Sequence, residues 1–250
     1  MPKEQGMSKR QLLREKRQRE KNRNRIISIG AVVVGALILA FFFIYPNVKP
    51  VGPVVSITPG VYPQTDMNTM GDPNAPVKLE VWEDFQCPAC KNFNASIEPL
   101  LIQNYIVTGK VYYIFHHYPF IDSNSASKES NQAANASMCA GEQGRFWDYK
   151  EILFANWNGE NIGSFADRKL VAFAESLGLN MDKFSSCFNA NTYKAQIDKD
   201  FSDGVDAGVH STPSIFVDGV FVVNPNGENL VPTYADVAAA IDAALAKIAP

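Results

Sequence analysis

The sequence predicts an α/β domain, built on a strand-helix-strand unit and interrupted by a long helical insertion, with a single transmembrane helix ahead of it. Three observations carry that prediction. Twenty consecutive residues, Ile26 to Tyr45, hold no charge. An alternating apolar run from Val77 changes to helical periodicity directly after Cys87-Pro88-Ala89-Cys90. Further on, Ile215-Phe216-Val217 and Val220-Phe221-Val222-Val223 flank Asp218-Gly219, a two-residue hairpin signal.

Residues 1–25 form a basic segment with ten Lys and Arg against three Glu, a local charge of +7, whereas the whole chain sums to −3. The remainder is therefore acidic, which argues against nucleic-acid binding by the folded body. At about 1.5 Å per residue, the run 26–45 makes roughly 30 Å of helix, the thickness of a bilayer's hydrocarbon core. It ends in Phe41-Phe42-Phe43-Ile44-Tyr45-Pro46, without the small residues of a signal-peptidase site, so an uncleaved anchor is expected. Positive flanking charge keeps the N-terminus in the cytoplasm and puts the body outside, with the basic segment against anionic lipid. Residues 46–70 read as a Pro-rich linker; prolines recur from Pro46 to Pro76, and the composition predicts a stiff tether.

The folded domain is expected over 71–250. In Val77-Lys78-Leu79-Glu80-Val81-Trp82-Glu83-Asp84-Phe85 the apolar Val77, Leu79 and Val81 share one face, so 77–85 is a strand. Phe93, Ile97, Leu100, Leu101 and Tyr105 then recur at helical spacing as far as Gly109, giving a helix over 91–108. Pro99 removes an amide donor inside it, so a kink is expected between Ala95 and Glu98. A second strand over 111–115 completes a unit with a right-handed crossover. A helical insertion is expected over about 118–209, with Phe146, Trp147 and Leu153 in its core. The hairpin follows, and Tyr234 to Ile248 reads as a closing helix.

Cys87 falls at the strand-to-helix junction, where unpaired N–H groups and the helix dipole favour a thiolate. A redox pair with Cys90 is one reading. Structural zinc is the other, but it needs four ligands; Cys139 and Cys187 stand alone in sequence and His116-His117 are adjacent, so no second half-site appears and no metal is expected. Copper held by the pair and His210 is a variant of the same alternative. Outside the cytoplasm four cysteines suggest two bridges. With the C-x-x-C pair set apart, Cys139 and Cys187 remain to be bonded, or to stay as buried thiols. The bridge would close a 48-residue loop, constraining the unfolded chain by ~4 kcal/mol in the entropic picture.

Three stretches, Gly71 to Cys90, Cys139 to Tyr149 and Gly208 to Gly219, together resemble the DsbA-like thioredoxin-fold oxidoreductases, and the anchored form is similar to their Gram-positive members. The resemblance implies a thioredoxin fold with an inserted helical domain. It implies that Cys87 is the exposed nucleophile and Cys90 its buried partner, that Thr212-Pro213 is the loop whose cis-proline lines a substrate groove with Pro88 and Ala89, and that Cys139–Cys187 is a structural bridge. Two departures stand out. Pro88-Ala89 replaces the Pro-His of the best-known oxidants, and Val81 stands where many relatives place a buried acid six residues before the first cysteine. Glu83, on the same strand face, is the candidate for proton transfer in its stead; a solvated carboxylate is the alternative. His210 reads as a groove or surface residue.

The expected activity is thiol:disulfide exchange without a cofactor, which introduces disulfides into reduced or unfolded secreted polypeptides. The resemblance implies reoxidation by a quinone-linked membrane partner of the DsbB or VKOR type. A reductase or isomerase of the same fold, or a tethered peptide-binding or chaperone module with purely structural cysteines, are the alternatives.

Overall fold

The computed structural model describes residues 9–48, 51–225 and 231–248, and it divides into two units at Val51 and Gly52. The first unit is one 40-residue helix, α1 (Lys9–Val48), which contains the apolar run and the described part of the basic segment. Its stretch Leu12–Phe43 is long and apolar enough to cross a membrane. Residues 1–8 of the basic segment lie outside the described residues.

The second unit is a six-stranded sheet with helices against it. The strands are β1 (Thr65–Asp66), β2 (Thr69–Met70), β3 (Val77–Glu83), β4 (Val111–His117), β5 (Ser214–Val217) and β6 (Val220–Phe221), in the spatial order β1-β2-β4-β3-β5-β6. Among the described strands only β3 and β4 are parallel, in the register Val77↔Val111 through Glu83↔His117, and the helical connection between them is the crossover that parallel pairing requires. β5 runs antiparallel to β3 and turns into β6 through Asp218 and Gly219, both at positive φ (48° and 76°). That is the turn which an Asp-Gly pair favours.

The crossover begins earlier than its periodicity suggests. α2 (Pro88–Ser96) uses Pro88 at its first position, where the missing N–H costs nothing. The break falls at Ile97, as Pro99 requires; α3 (Glu98–Leu101) follows, and Ile102–Ile106 continues as a wide π-turn closed by Val107 N–H to the Ile102 carbonyl at 2.9 Å. The helices α4 (Glu129–Gly141), α5 (Phe146–Ala155), α6 (Asp167–Ser176), α7 (Met181–Asn189) and α8 (Lys194–Asp206) lie between β4 and β5, and α9 (Tyr234–Ile248) closes the chain. Phe146, Trp147 and Leu153 are buried in the main core. Cys139 on α4 is bonded to Cys187 on α7.

The two sheet faces carry separate cores. Val77, Leu79, Val81, Val111, Tyr113 and Phe115 point into the larger one, against α2, α5 and α9. Trp82, Tyr118, Val209 and Phe216 form a smaller cluster on the other face. There α8 approaches so closely that a Cβ at Gly204 would lie 2.8 Å from Tyr118 and 2.9 Å from Trp82.

The tether reading of 46–70 needs correction from Gly52 onward. Val54, Ile57 and Tyr62 pack against the main core, and the first two strands form within this stretch. Val55 exchanges two hydrogen bonds with the Asn156 side chain (2.8 and 2.9 Å), and Gly60 N–H donates to Asp148 Oδ1 at 2.9 Å. Prolines hold the backbone extended. An extended strip lies readily along a helix whose amide and carboxylate side chains satisfy its main chain.

Candidate active site

Cys87 is the N-cap of α2, in extended conformation (φ −74°, ψ 123°), with no acid in the first turn and no side-chain cap hydrogen bond. Its thiol donates to the Thr212 carbonyl at 3.3 Å, and the Thr212-Pro213 peptide is cis. The structure thus brings Cys87, Cys90, Thr212 and Pro213 together. Pro88 is exposed and Ala89 partly so, at the rim. Cys87 keeps only 6% of its surface and Cys90 none, so the expected openly exposed nucleophile is in fact recessed beneath the cis-proline loop. His210 is exposed and makes none of these contacts.

The two sulfurs are driven in opposite directions. The Cys90 thiol is the largest cause that lowers Cys87, against desolvation; Thr212 and the Cys90 and Ala89 amides add to it, and the result is about 6. Cys90 is pushed well above its ordinary value, first by burial and then by the neighbouring Cys87 and the carboxyl of Glu83. A pair split in this way carries one thiolate and one thiol at neutral pH, the arrangement for accepting or donating a disulfide at a single sulfur.

Under the pair lies a set of buried polar groups. Lys150 of α5 is fully buried; its Nζ donates to Glu98 Oε2 and Asn94 Oδ1, both at 2.6 Å, and stands 3.5 Å from Glu83 Oε1. Tyr113 O–H donates to the other Glu98 oxygen at 2.5 Å. Burial lowers the affinity of Lys150 for its proton, but Glu83, Glu98 and Glu151 outweigh it, so the ammonium persists. With Glu98 holding the closer contact, Glu83 is raised to about 8, mainly by burial; Lys150 opposes the shift, and Glu98 and Cys87 reinforce it. The solvated reading of Glu83 is thereby overturned. It is a buried acid, two residues along the strand from the family's usual position.

Three neighbours of the pair carry no recognisable sequence signal. Trp157 Nε1 donates to the Gln86 carbonyl at 2.7 Å, and Lys91 Nζ lies 5.1 Å from the centre of the same indole. Gln86 in turn accepts from the Asn161 amide at 2.7 Å and so fastens the following loop beside Cys87. Lys150 sits in a helix reading Phe-Trp-Asp-Tyr-Lys-Glu, where a lysine would ordinarily be solvated.

The thioredoxin family model matches residues 64–243. A probable disulfide bond formation protein D of Bacillus cereus is 24% identical over 172 residues, 68% of this chain and 78% of that protein. A Na(+)/H(+) antiporter NhaA 1 of Salinispora arenicola is 29% identical over 167 residues, but these make up only 24% of its length, so the likeness concerns one part of that protein. Among solved structures, oxidised BdbD from Bacillus subtilis shares the fold, with a TM-score of 0.62 at 24% identity over 78% of this chain and all of that one. With its cis-proline beside a split cysteine pair, the chain belongs to the thioredoxin family and is a DsbA-like thiol:disulfide oxidoreductase.

Proposed function

We propose that this oxidoreductase works as an oxidase outside the cytoplasm, tethered by α1, and introduces disulfides into reduced secreted polypeptides. The observation that carries the direction is the depressed Cys87 thiol. At pH 7 a thiol at about 6 is largely ionised and one at 9.0 is not, which favours the reduced pair by about 1.4 kcal/mol, or about 30 mV. The location rests on the apolar helix with basic residues on its N-terminal side, and the Cys139–Cys187 bridge suits an oxidising compartment.

In the oxidised enzyme a substrate thiolate attacks the Cys87 sulfur. The Cys87–Cys90 bond breaks, Cys90 leaves with the electron pair, and a mixed disulfide forms. Buried Cys90 takes a proton, and Glu83, neutral at pH 7, supplies it. A second substrate thiolate attacks the substrate sulfur of the mixed disulfide, and Cys87 departs as the stabilised thiolate. Two electrons have passed to the enzyme, and a quinone-linked membrane partner removes them. Pro88, Ala89, Thr212 and Pro213 line the groove that receives the substrate. The basic N-terminal segment lies against anionic lipid.

The direct test is equilibration with glutathione. A potential on the oxidising side of about −200 mV is expected, and a value near about −270 mV would make the enzyme a reductase. In refolding of a reduced secreted protein, Cys87→Ser should abolish disulfide formation; an unchanged rate would favour a binding module. A membrane-impermeant maleimide should label reduced Cys87 in intact cells.

A further inference from the structure

Glu83 and His117 occupy paired positions on the two parallel strands β3 and β4. Both belong to the inward face, the one that also carries Val81 and Phe115. Neighbouring strands lie about 4.8 Å apart, so the two side chains stand next to each other. Neither oxygen of Glu83 and neither ring nitrogen of His117 has a hydrogen-bond partner, although both side chains are buried. They share the wall of a crevice too narrow to hold a water molecule, with Asp84, Tyr118 and Ser130 as its other polar lining.

Two unsatisfied polar groups side by side in a core are costly unless they serve each other. The surroundings leave them little else. Lys150 from α5 gives its short contacts, both 2.6 Å, to Glu98 and Asn94, and stands 3.5 Å from Glu83 Oε1, which leaves Oε2 to find another partner. Ser130 donates to Asp84 Oδ1 at 2.6 Å, and Tyr118 O–H to the Val209 carbonyl at 2.8 Å. Asp200 from α8 accepts from the main-chain N–H of His117 at 3.1 Å, not from its ring. His116 faces away across the sheet, stacked on Trp82. The rings of Phe85, Phe115 and Phe146 enclose the imidazole within about 6 Å.

We propose that His117 is the positioning residue for Glu83, accepting a hydrogen bond from its carboxylic acid in one redox state and donating one to its carboxylate in the other. A neutral imidazole carries its N–H and its lone pair on opposite ring nitrogens, so the exchange takes a turn of the His117 ring about its Cβ–Cγ bond together with a shift of the Glu83 carboxyl. Burial favours that neutral form, holding His117 down to about 4 despite the Asp200 charge. In the oxidised enzyme the Glu83 O–H points at a ring nitrogen. When Cys90 leaves as a thiolate, the Glu83 O–H bond breaks and a Cys90 S–H bond forms; the resulting carboxylate then accepts from the imidazole N–H. On reoxidation Cys90 gives the same proton back. One proton shuttles between sulfur and oxygen, and none leaves through His117.

This inference rests on the reading of Glu83 as the acid that serves Cys90, and the experiment separates the two. Single-turnover oxidation of a dithiol peptide by the full-length chain is followed from pH 5 to 9 in wild type, Glu83→Gln, His117→Phe and His117→Gln. His117→Phe should slow the turnover three- to tenfold at pH 7 and shift the alkaline limb of the profile, while His117→Gln, whose amide also both donates and accepts, should return to within twofold of wild type. In parallel, the ¹⁵N shifts of the wild-type His117 ring should differ between oxidised and reduced protein, and the difference should vanish in Glu83→Gln. This second readout stands even where His117→Phe fails to fold. Equal rates in His117→Phe and wild type, equal slowing by Phe and Gln, or ring shifts blind to the redox state would each overturn the proposal. If Glu83→Gln itself leaves rate and profile untouched, the Glu83 reading falls with it; if Glu83→Gln slows turnover and His117→Phe does not, only the role of His117 is lost.

Discussion

His116 and His117 are neighbours in one strand, yet the sheet gives them opposite lives. On the outer face His116 Nε2 lies 3.3 Å from Glu80 and Nδ1 3.8 Å from Asp200, stacked 4.2 Å from Trp82. Burial alone would strip its proton, but the charges of Asp200 and Glu80 outweigh it and raise His116; the His116 contact in turn is the leading cause that lowers Glu80. Acid and histidine each favour the other's charged form. On the inner face the cross-strand pair Glu83 and His117 is pushed the other way, the acid up to about 8 and the base down to about 4. Solvent access makes the difference: the outer side chains keep about 15% of their surface, whereas Glu83 keeps none. Water and a second carboxylate make an ion pair tolerable outside. Inside, the Lys150 ammonium gives its short contacts to Glu98 and Asn94 and meets Glu83 only at 3.5 Å, so burial outweighs it and the proton stays on the acid beside the redox pair.

The strongest way to break this comparison is to remove the inner cation. Lys150→Met leaves Glu98 buried without its partner and is expected to cost about 3–5 kcal/mol in urea unfolding of the detergent-solubilised chain. Adding Glu98→Gln, which can still accept from Tyr113, should recover most of that loss. If the single variant unfolds like wild type, the buried ammonium does not hold the inner face together.

Why this inner set escapes a reading of the sequence follows from its distances along the chain. Lys150 meets Glu98 across 52 residues, and nothing in the local pattern of α5 distinguishes a buried lysine from a solvated one. The stretch 52–62 was equally opaque, since its composition is that of a linker and its hydrogen bonds go to Asn156 and Asp148, far ahead in the chain. Two-residue strands such as β1 and β2 are shorter than any period can reveal. By contrast, features decided within a few residues were legible: the strand-to-helix junction at Cys87 (though the helix opens at Pro88, not at Lys91), the break before Pro99, the Asp-Gly turn and the helix from Tyr234 to Ile248 all depend on local backbone chemistry. The adjacency of His116 and His117 in an alternating strand already implied opposite faces, though not which face would be charged.

The pH dependence of stability sharpens the contrast, because the two histidines must contribute slopes of opposite sign. The unfolded chain binds a proton at position 117 below about 6.5, and the folded one refuses it until about 4. Stability is therefore lost as pH falls through that window, by up to ~3 kcal/mol. His116, raised on folding, contributes stability that is complete below its unfolded value and lost as pH rises through its folded value. In urea titrations from pH 4 to 8, His117→Phe should flatten the acid decline, while His116→Phe should remove stability mainly on the acid side. Equal slopes in the two variants would erase the distinction between the faces.

The smallest effect tests whether the outer pair is separate from the chemistry. Glu80→Gln removes the charge nearest His116 but leaves its hydrogen-bonding shape and the Trp82 stack, and Asp200 still faces the ring. A partly exposed ion pair of this kind is worth about 1 kcal/mol or less, so the unfolding midpoint should move only slightly. Glu80 points to the face opposite Val81 and Glu83, with the sheet itself between its carboxylate and the Cys87 sulfur. The rate of dithiol oxidation at pH 7 should accordingly stay within twofold of wild type. A larger loss would mean that the charged pair on the outer face reaches the thiolate through the strand, and the two faces would have to be treated as one electrostatic unit.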